Sequence, residues 1–151
     1  MRGVTAFVLS TSQARVDLVE VSELREHEEV DPRHLEALRA KIKADGVLKR
    51  PIVVDRTTHV ILDGEHRFNA LKQLGCTRVP LIFVDYNSPS IHVKAWRRQE
   101  RLTKQDVIEA GVTDRKLRPK TSRHEILVGS RLRHISALQT RVDIPLEQLR
   151  G

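Results

Sequence analysis

A single cysteine, Cys76, stands among 151 residues. No disulfide can form within the chain, and a reducing compartment, the cytoplasm, is the expected location. Aromatic side chains are nearly as scarce, with one tryptophan, one tyrosine and three phenylalanines. A base-stacking platform of the RNA-recognition kind needs more than that. No apolar run approaches the roughly 20 residues of a membrane span. Residues 1–10 lack the core and cleavage pattern of a signal peptide, so neither membrane insertion nor export is expected. The seven histidines are scattered, and His27-Glu28 is followed by Val30 and Asp31 rather than by the second histidine of an H-E-x-x-H pattern. A structural metal site is therefore not expected. Internal repeats, low-complexity tracts and a helix-turn-helix after residue 86 are also missing.

What the chain has is positive charge. The net charge is +7 and the pI is near 10.1, which favours polyanions or anionic small molecules as partners. The basic residues gather in two stretches, Lys94–Lys104 and Arg115–Arg133. A phosphate-bearing metabolite fits this balance; nucleic acid fits less well for want of aromatics and remains an open second partner. The plainest alternative is a solvated surface kept basic for solubility.

In chain order, Val16–Val21 reads as a strand and residues 23–30 as a charged loop. Asp31-Pro32 opens a helix, aspartate at the N-cap and proline in the first turn, with Leu35, Leu38 and Ile42 as its buried stripe and Gly46 as its stop. Val47–Leu48 and Pro51–Asp55 are extended, Arg56–His59 turns, and Val60-Ile61-Leu62 is a strand. Asp63-Gly64 breaks that strand, and Phe68, Leu71 and Leu74 then recur at helical spacing until Gly75. Val79–Val84 is a further strand. Residues 16–85 thus make a compact α+β unit rather than a series of long βαβ repeats. Three segments are expected: an N-terminal extension or edge strand over 1–15, a core over 16–90, and a basic C-terminal lobe over 91–151 that completes the site. In that lobe Ile91–Trp96 reads as a strand, Thr103 caps a helix over Lys104–Ala110 ended by Gly111, and Leu117–His124 is a basic turn. A strand and a last short helix follow over Val142–Leu149.

A strand running through a glycine into a helix gathers free backbone amides and the positive end of a helix dipole at one point. Here that point also carries Glu65, His66 and Arg67. The turn therefore reads as a phosphate site, against the bland alternative of a strand-turn-helix with solvated charges. Asp63 sits at the strand's end, where a carboxylate can hold Mg²⁺ against nucleotide phosphates; equally, it can cap the following helix as an Asx-turn. Arg67 can clamp phosphate with two prongs. Glu28, before the capped helix, is placed to take a hydroxyl proton during phosphoryl transfer, or is one solvated acid beside Glu26 and Glu29. Trp96-Arg97 and Thr121-Ser-Arg123-His124 supply further donors, although Trp96 could simply fill core and Arg123 and His124 could be solvated loop charges.

Two stretches together resemble the ParB/sulfiredoxin superfamily: Ile42…Asp45-Gly-Val-Leu48…Pro51-Ile-Val-Val54, and Asp63-Gly-Glu-His-Arg-Phe68…Gly75…Val79-Pro80. The resemblance covers about residues 16–86 and implies an α+β fold, a mixed sheet with flanking helices. Chromosome-partitioning ParB proteins carry G-E-R-R where this chain has Gly64-Glu-His-Arg67, and sulfiredoxins carry a cysteine where it has Glu65. Three further features, His27-Glu28-x-x-x-Pro32, Asp63-Gly64-x-His66-Arg67, and Trp96-Arg97 with Lys120-Thr-x-Arg-His124, resemble the free L-serine kinases of this superfamily.

The resemblance implies phosphorylation of free L-serine from ADP or ATP with Mg²⁺. It makes Glu28 the catalytic base and Asp63 the ligand of Mg²⁺ and nucleotide phosphate. Gly64, Glu65, His66 and Arg67 complete the nucleotide turn, with Gly64, His66, Arg67 and Trp96 reaching serine or phosphoserine. Trp96, Arg97, Thr121, Arg123 and His124 bind substrate, the last three closing over its carboxylate or phosphate. The span between Lys104 and Lys120 is shorter than in the family kinases. The alternative is a ParB-like nucleotide- or DNA-binding regulator.

Overall fold

A computed structural model of the protein describes residues 5–7, 15–97 and 100–151. Its centre is a five-stranded mixed sheet of β1 (Thr5–Phe7), β2 (Val16–Glu20), β6 (Arg78–Val84), β4 (Ile52–Asp55) and β5 (Ile61–Asp63), in that spatial order. Only the β4–β6 pair is parallel. Of the apolar piece Val4–Leu9, the part beyond β1 lies outside the described residues, as does Arg98.

Alternation along the inner strands explains why the sheet is covered on both faces. Successive side chains point to opposite faces. Ile52 and Val54 accordingly join one apolar cluster with Leu35, Ile42, Phe68 and Leu71, while Val53 joins a second with Val60, Leu62, Tyr86 and Val107. The first face is closed by α1 (Pro32–Asp45) and α2 (Glu65–Gln73), which pack on one another. With no polar face to present, β4 reads as a continuous apolar run.

The helix signals hold where they rest on backbone chemistry. Asp31 Oδ1 accepts the Arg33 amide at 3.0 Å, and Gly46 closes α1 at φ 71°. Thr103 and Asp106 form a reciprocal capping box at the start of α3 (Lys104–Val112). Gly111, however, lies inside α3 rather than ending it. A Cβ there would come within 2.6 Å of Val60 Cγ2, so this glycine permits close approach of helix to sheet.

The basic segment Leu117–His124 is a turn only in part. From Ser122 it becomes β8 (Ser122–Val128), the centre of an antiparallel sheet with β7 (Ile91–Ala95) and β9 (Arg131–His134). Pairing of Lys94 with Arg123 and Val93 with His124 imposes strand geometry on residues whose composition suggested a loop. The chain then returns to the first cluster. β10 (Ile144–Pro145) pairs with β3 (Val47–Leu48), and Ile144, Leu146 and Leu149 enter the core against α1 and β4. Residues 91–151 therefore share both cores with the residues before them. No described helix is long and apolar enough to cross a membrane.

Candidate active site

β5 delivers Asp63 to the edge of the sheet, and Gly64 turns the chain at φ 109° into α2. A Cβ at Gly64 would lie 2.4 Å from Ile52 Cγ2, so the turn is pressed directly onto β4. No side chain caps the helix. Its first internal bond runs from the Phe68 amide to the Gly64 carbonyl. The amides of the first turn are thus left to a ligand or water, and with the dipole they suit an anion. Asp63 does not make the Asx-turn. Its Oδ2 instead accepts from Gln139 Nε2 at 2.6 Å and from Arg67 at 3.4 Å, and among the described residues Oδ1 has no partner.

Arg67 lies at the same corner, with its terminal nitrogens already engaged. One donates to the carbonyls of Arg50 and Pro51 at 3.1 and 2.9 Å, the other to Asp63 and to Gln139 Oε1 at 2.9 Å. The side chain braces the start of β4 against the Asp63–Gly64 turn. Gln139, from the short helical turn after β9, is the buried hub of this brace: it also accepts from Arg50 through its carbonyl. Nothing in its local sequence marks it.

On the other flank, Glu65 turns inward from the first residue of α2. Its Oε2 accepts the amides of His27 and Glu28 at 3.0 and 2.7 Å. Burial, then the nearby Glu28 charge, raises its pKa well above the ordinary carboxyl value, against the pull of the two amides, and the side chain holds a loop. Asn69, one turn on, binds the Glu65 carbonyl and Glu26. His66 reaches the start of α1, where its Nε2 accepts the Asp31 amide at 2.9 Å and its ring stacks on His34. Burial lowers its pKa, with His34 adding to the effect.

Glu28 is not a solvated loop acid. The Glu28 Oε2 accepts the Lys120 amide at 3.0 Å; its Oε1 accepts the amides of Thr121 and Ser122 and the Ser122 hydroxyl at 3.2, 2.9 and 2.9 Å. Three successive amides can converge because Lys120 adopts φ 55°, a left-handed turn that makes a nest for an anion. Burial raises the Glu28 pKa, while the bonds from Ser122, Lys120 and Thr121 pull it back. Beneath it lies His27, wholly buried, with Nδ1 2.6 Å from the Ile61 carbonyl and Nε2 2.8 Å from Ser122 Oγ.

The remaining expected site residues divide. Trp96 does not fill the core: it is half exposed, its amide bonds the Thr121 carbonyl, and the Arg123 guanidinium lies 4.9 Å over its ring. Trp96, Arg123 and Glu28 thus meet around Thr121. The Thr121 hydroxyl donates to Arg118, and Arg97 donates to the Pro119 carbonyl. His124 is not a solvated cation. It is buried on β8, within 2.8 Å of the Tyr86 hydroxyl, and burial together with the neighbouring His27 lowers its pKa to about 3. Ser122 and His27, absent from the expected site, lie at its centre. A hydroxyl within the polar run Lys120-Thr121-Ser122-Arg123-His124 is the available sign for Ser122.

No group of three potential metal ligands exists among the described residues. The free Oδ1 of Asp63, next to an anion-binding turn, fits an Mg²⁺ that arrives with nucleotide phosphates and keeps most of its water. It does not fit a cage built by the protein.

A family model described as the ParB N-terminal domain matches residues 7–95. The ATP-dependent L-serine kinase of Staphylothermus marinus is 37% identical over 83 residues, 52% of this chain and 33% of that protein. The ADP-dependent L-serine kinase SerK of Thermococcus kodakarensis is 27% identical over 97 residues, 62% of this chain and 40% of that protein. The matched stretch therefore spans about a third to two-fifths of these relatives' length. A solved free serine kinase in complex with AMP superposes with a TM-score of 0.76 at 16% identity, covering 95% of this chain and 97% of that one, and shares its fold. With the sheet order, the Asp63–Gly64 turn and the family match in agreement, the chain belongs to the ParB N-terminal domain family, with L-serine kinases among its relatives.

Proposed function

We propose that the protein is a free L-serine kinase, transferring the terminal phosphoryl group of ADP or ATP to the serine hydroxyl to give O-phospho-L-serine. The observation that carries this reading is the tether between Glu28 and α2: the Glu28 amide is held by Glu65, the first residue of the helix whose N-terminus would bind phosphate. A base and a phosphate site locked to one another are what an in-line transfer requires, because positioning and charge stabilisation supply most of the rate.

In this mechanism the amides at the start of α2 and their dipole hold the transferred group. Asp63 Oδ1 would hold Mg²⁺, which, when bound, offsets charge on the phosphates. Trp96 and Arg123 present an aromatic face and a cation to the amino acid. Glu28 takes the serine proton as the serine oxygen attacks phosphorus and the bond to the nucleotide breaks. The L-serine kinases among the relatives support the choice of acceptor and of a nucleotide donor.

Purified protein given Mg²⁺, L-serine and either nucleotide should form O-phosphoserine, detected by mass spectrometry. Glu28→Gln should abolish turnover while leaving nucleotide binding largely intact. No product with ADP or with ATP removes the proposal. A ParB-like nucleotide- or DNA-binding regulator is the second reading, favoured by the net charge of +7 and the family match. It requires duplex binding that weakens steeply between two salt concentrations in a gel-shift assay.

A further inference from the structure

Four groups lie in line through the interior: the Ile61 carbonyl, the His27 ring, the Ser122 hydroxyl and the Glu28 carboxyl. The contacts are 2.6 Å from Ile61 O to His27 Nδ1, 2.8 Å from His27 Nε2 to Ser122 Oγ, and 2.9 Å from Ser122 Oγ to Glu28 Oε1. A carbonyl only accepts, so Nδ1 carries a proton. Two hydrogen bonds remain, on either side of Ser122, and each needs a proton of its own. The Ser122 hydroxyl has one.

A neutral His27 and an ionised Glu28 therefore leave the line one proton short. The missing proton has two places that satisfy both contacts. On Glu28, it makes the carboxyl donate to Ser122 and the Ser122 hydroxyl donate to Nε2. On Nε2, it makes His27 donate to Ser122 and Ser122 donate to the carboxylate. The two arrangements differ only by a concerted shift along the line, with no heavy atom displaced.

We propose that Ser122 and His27 form a proton relay behind Glu28, drawing off the proton that Glu28 takes from the substrate. This rests on Glu28 acting as the base of the proposed kinase. The serine substrate's O–H bond breaks as an O–H bond forms on Glu28. That proton then moves to Ser122 Oγ while the Ser122 proton moves to His27 Nε2, leaving Glu28 ionised and His27 an imidazolium whose Nδ1–H stays on the Ile61 carbonyl. The reverse shift, with release from Glu28 to water, resets the line. Ser122 and His27 are positioning residues, since neither needs to touch substrate.

The surroundings suit a shared proton. Burial lowers the His27 pKa to about 4, opposed by the Ile61 carbonyl and the Asp63 charge, while burial raises that of Glu28, so the two shifts run toward one another. Glu65 Oε1, 3.6 Å from Nδ1, and the edge of the His124 ring, with centroids 5.9 Å apart, also face His27. Lys120 faces Glu28 through its amide.

The test compares wild type, Ser122→Ala and Ser122→Thr for kcat and for the KM of L-serine across pH. A relay predicts that Ser122→Ala loses about tenfold or more in kcat, with KM nearly unchanged and a shifted pH–rate profile. Ser122→Thr, which keeps the hydroxyl, restores both. A Ser122→Ala enzyme with wild-type kcat and profile overturns the relay. The ¹⁵N resonance of His27 Nε2 gives a reading that needs no turnover. It should move on Glu28→Gln in the wild-type background and stay still on Glu28→Gln in the Ser122→Ala background; no movement in the first case overturns the relay. Wild type forming no O-phosphoserine would remove the kinase reading and the relay's role in it, and this resonance would still decide whether Glu28, Ser122 and His27 share a proton.

Discussion

The backbone amide of Glu28 lies 2.7 Å from the buried carboxyl of Glu65. An acid at the first position of α2 is thereby spent on holding a loop, and the group held is the proposed base. This gives Glu65 a structural role at the Asp63–Gly64 turn.

The raised pKa of Glu65 makes stability fall with rising pH. Its folded pKa lies well above the ordinary 4.5, so its contribution is complete below about pH 4.5 and is lost as pH rises through the folded value. The buried histidines act in the other direction. His27 and His124 are lowered from 6.5 to about 4 and about 3. What they contribute is complete above pH 6.5 and is lost as pH falls through those values. Glu65→Gln keeps one acceptor for the two amides and cannot ionise. Its melting temperature should therefore fall less than that of wild type above pH 4.5, with the histidines' acid limb unchanged below pH 4.5. Parallel curves for the two proteins on the upper side would show that Glu65 is ionised in the fold.

Gly64 has no substitute. Its φ of 109° is strained for any other residue, and an added Cβ would press against Ile52, 2.4 Å away in the fully buried face of β4. Gly64→Ala should lose about 2–4 kcal/mol of stability in denaturant unfolding, from strain plus overpacking. Because the backbone would move at the first turn of α2, nucleotide binding should weaken as well. A variant with near-native stability would mean that the turn can relax away from β4.

Arg67 separates two roles that its sequence position could not. Four acceptors surround its terminal nitrogens, at Arg50, Pro51, Asp63 and Gln139. Arg67→Lys keeps the charge and loses the planar fork. As a brace, the residue should cost roughly 2 kcal/mol or more on this change, since buried acceptors lose their donors. Gln139→Ala, which removes the hub of the same network, should be non-additive with it in a double-mutant cycle. If Arg67→Lys left the melting temperature alone and weakened only nucleotide binding, its main partner would be phosphate.

These contrasts show what the sequence could and could not convey. Strand 60–62, the Asp63-Gly64 turn and the capped helix at Asp31-Pro32 were legible because each rests on local chemistry: apolar runs, a left-handed glycine, a side-chain cap. Glu28 and Asp63 were legible as candidates through the family resemblance. Composition gives Ser122–His124 the character of a loop, and strand pairing with β7 overrides it. Gln139 lies 76 residues from Asp63 and meets it only through tertiary folding. His27 carries no zinc motif, and its contacts with Ile61 and Ser122 join residues 34 and 95 positions apart.

The donor set at Asp63 makes a last prediction about Mg²⁺. One oxygen of that carboxylate is held by Gln139 and Arg67, and no cluster of further acids or histidines surrounds the other among the described residues. A hard cation with a single protein oxygen keeps its water shell and gains little. Mg²⁺ alone at millimolar concentration should therefore leave the melting temperature unchanged, whereas Mg²⁺ with nucleotide should raise it by more than nucleotide with EDTA. For a dissociation constant one hundredth of the ligand concentration the stabilisation is about 2.7 kcal/mol, well within reach of differential scanning fluorimetry. Asp63→Asn should erase the difference between the magnesium and EDTA samples and retain the smaller shift from nucleotide bound by the α2 amides. A clear shift with Mg²⁺ alone would instead require a metal site made by the protein itself, at a place other than this turn.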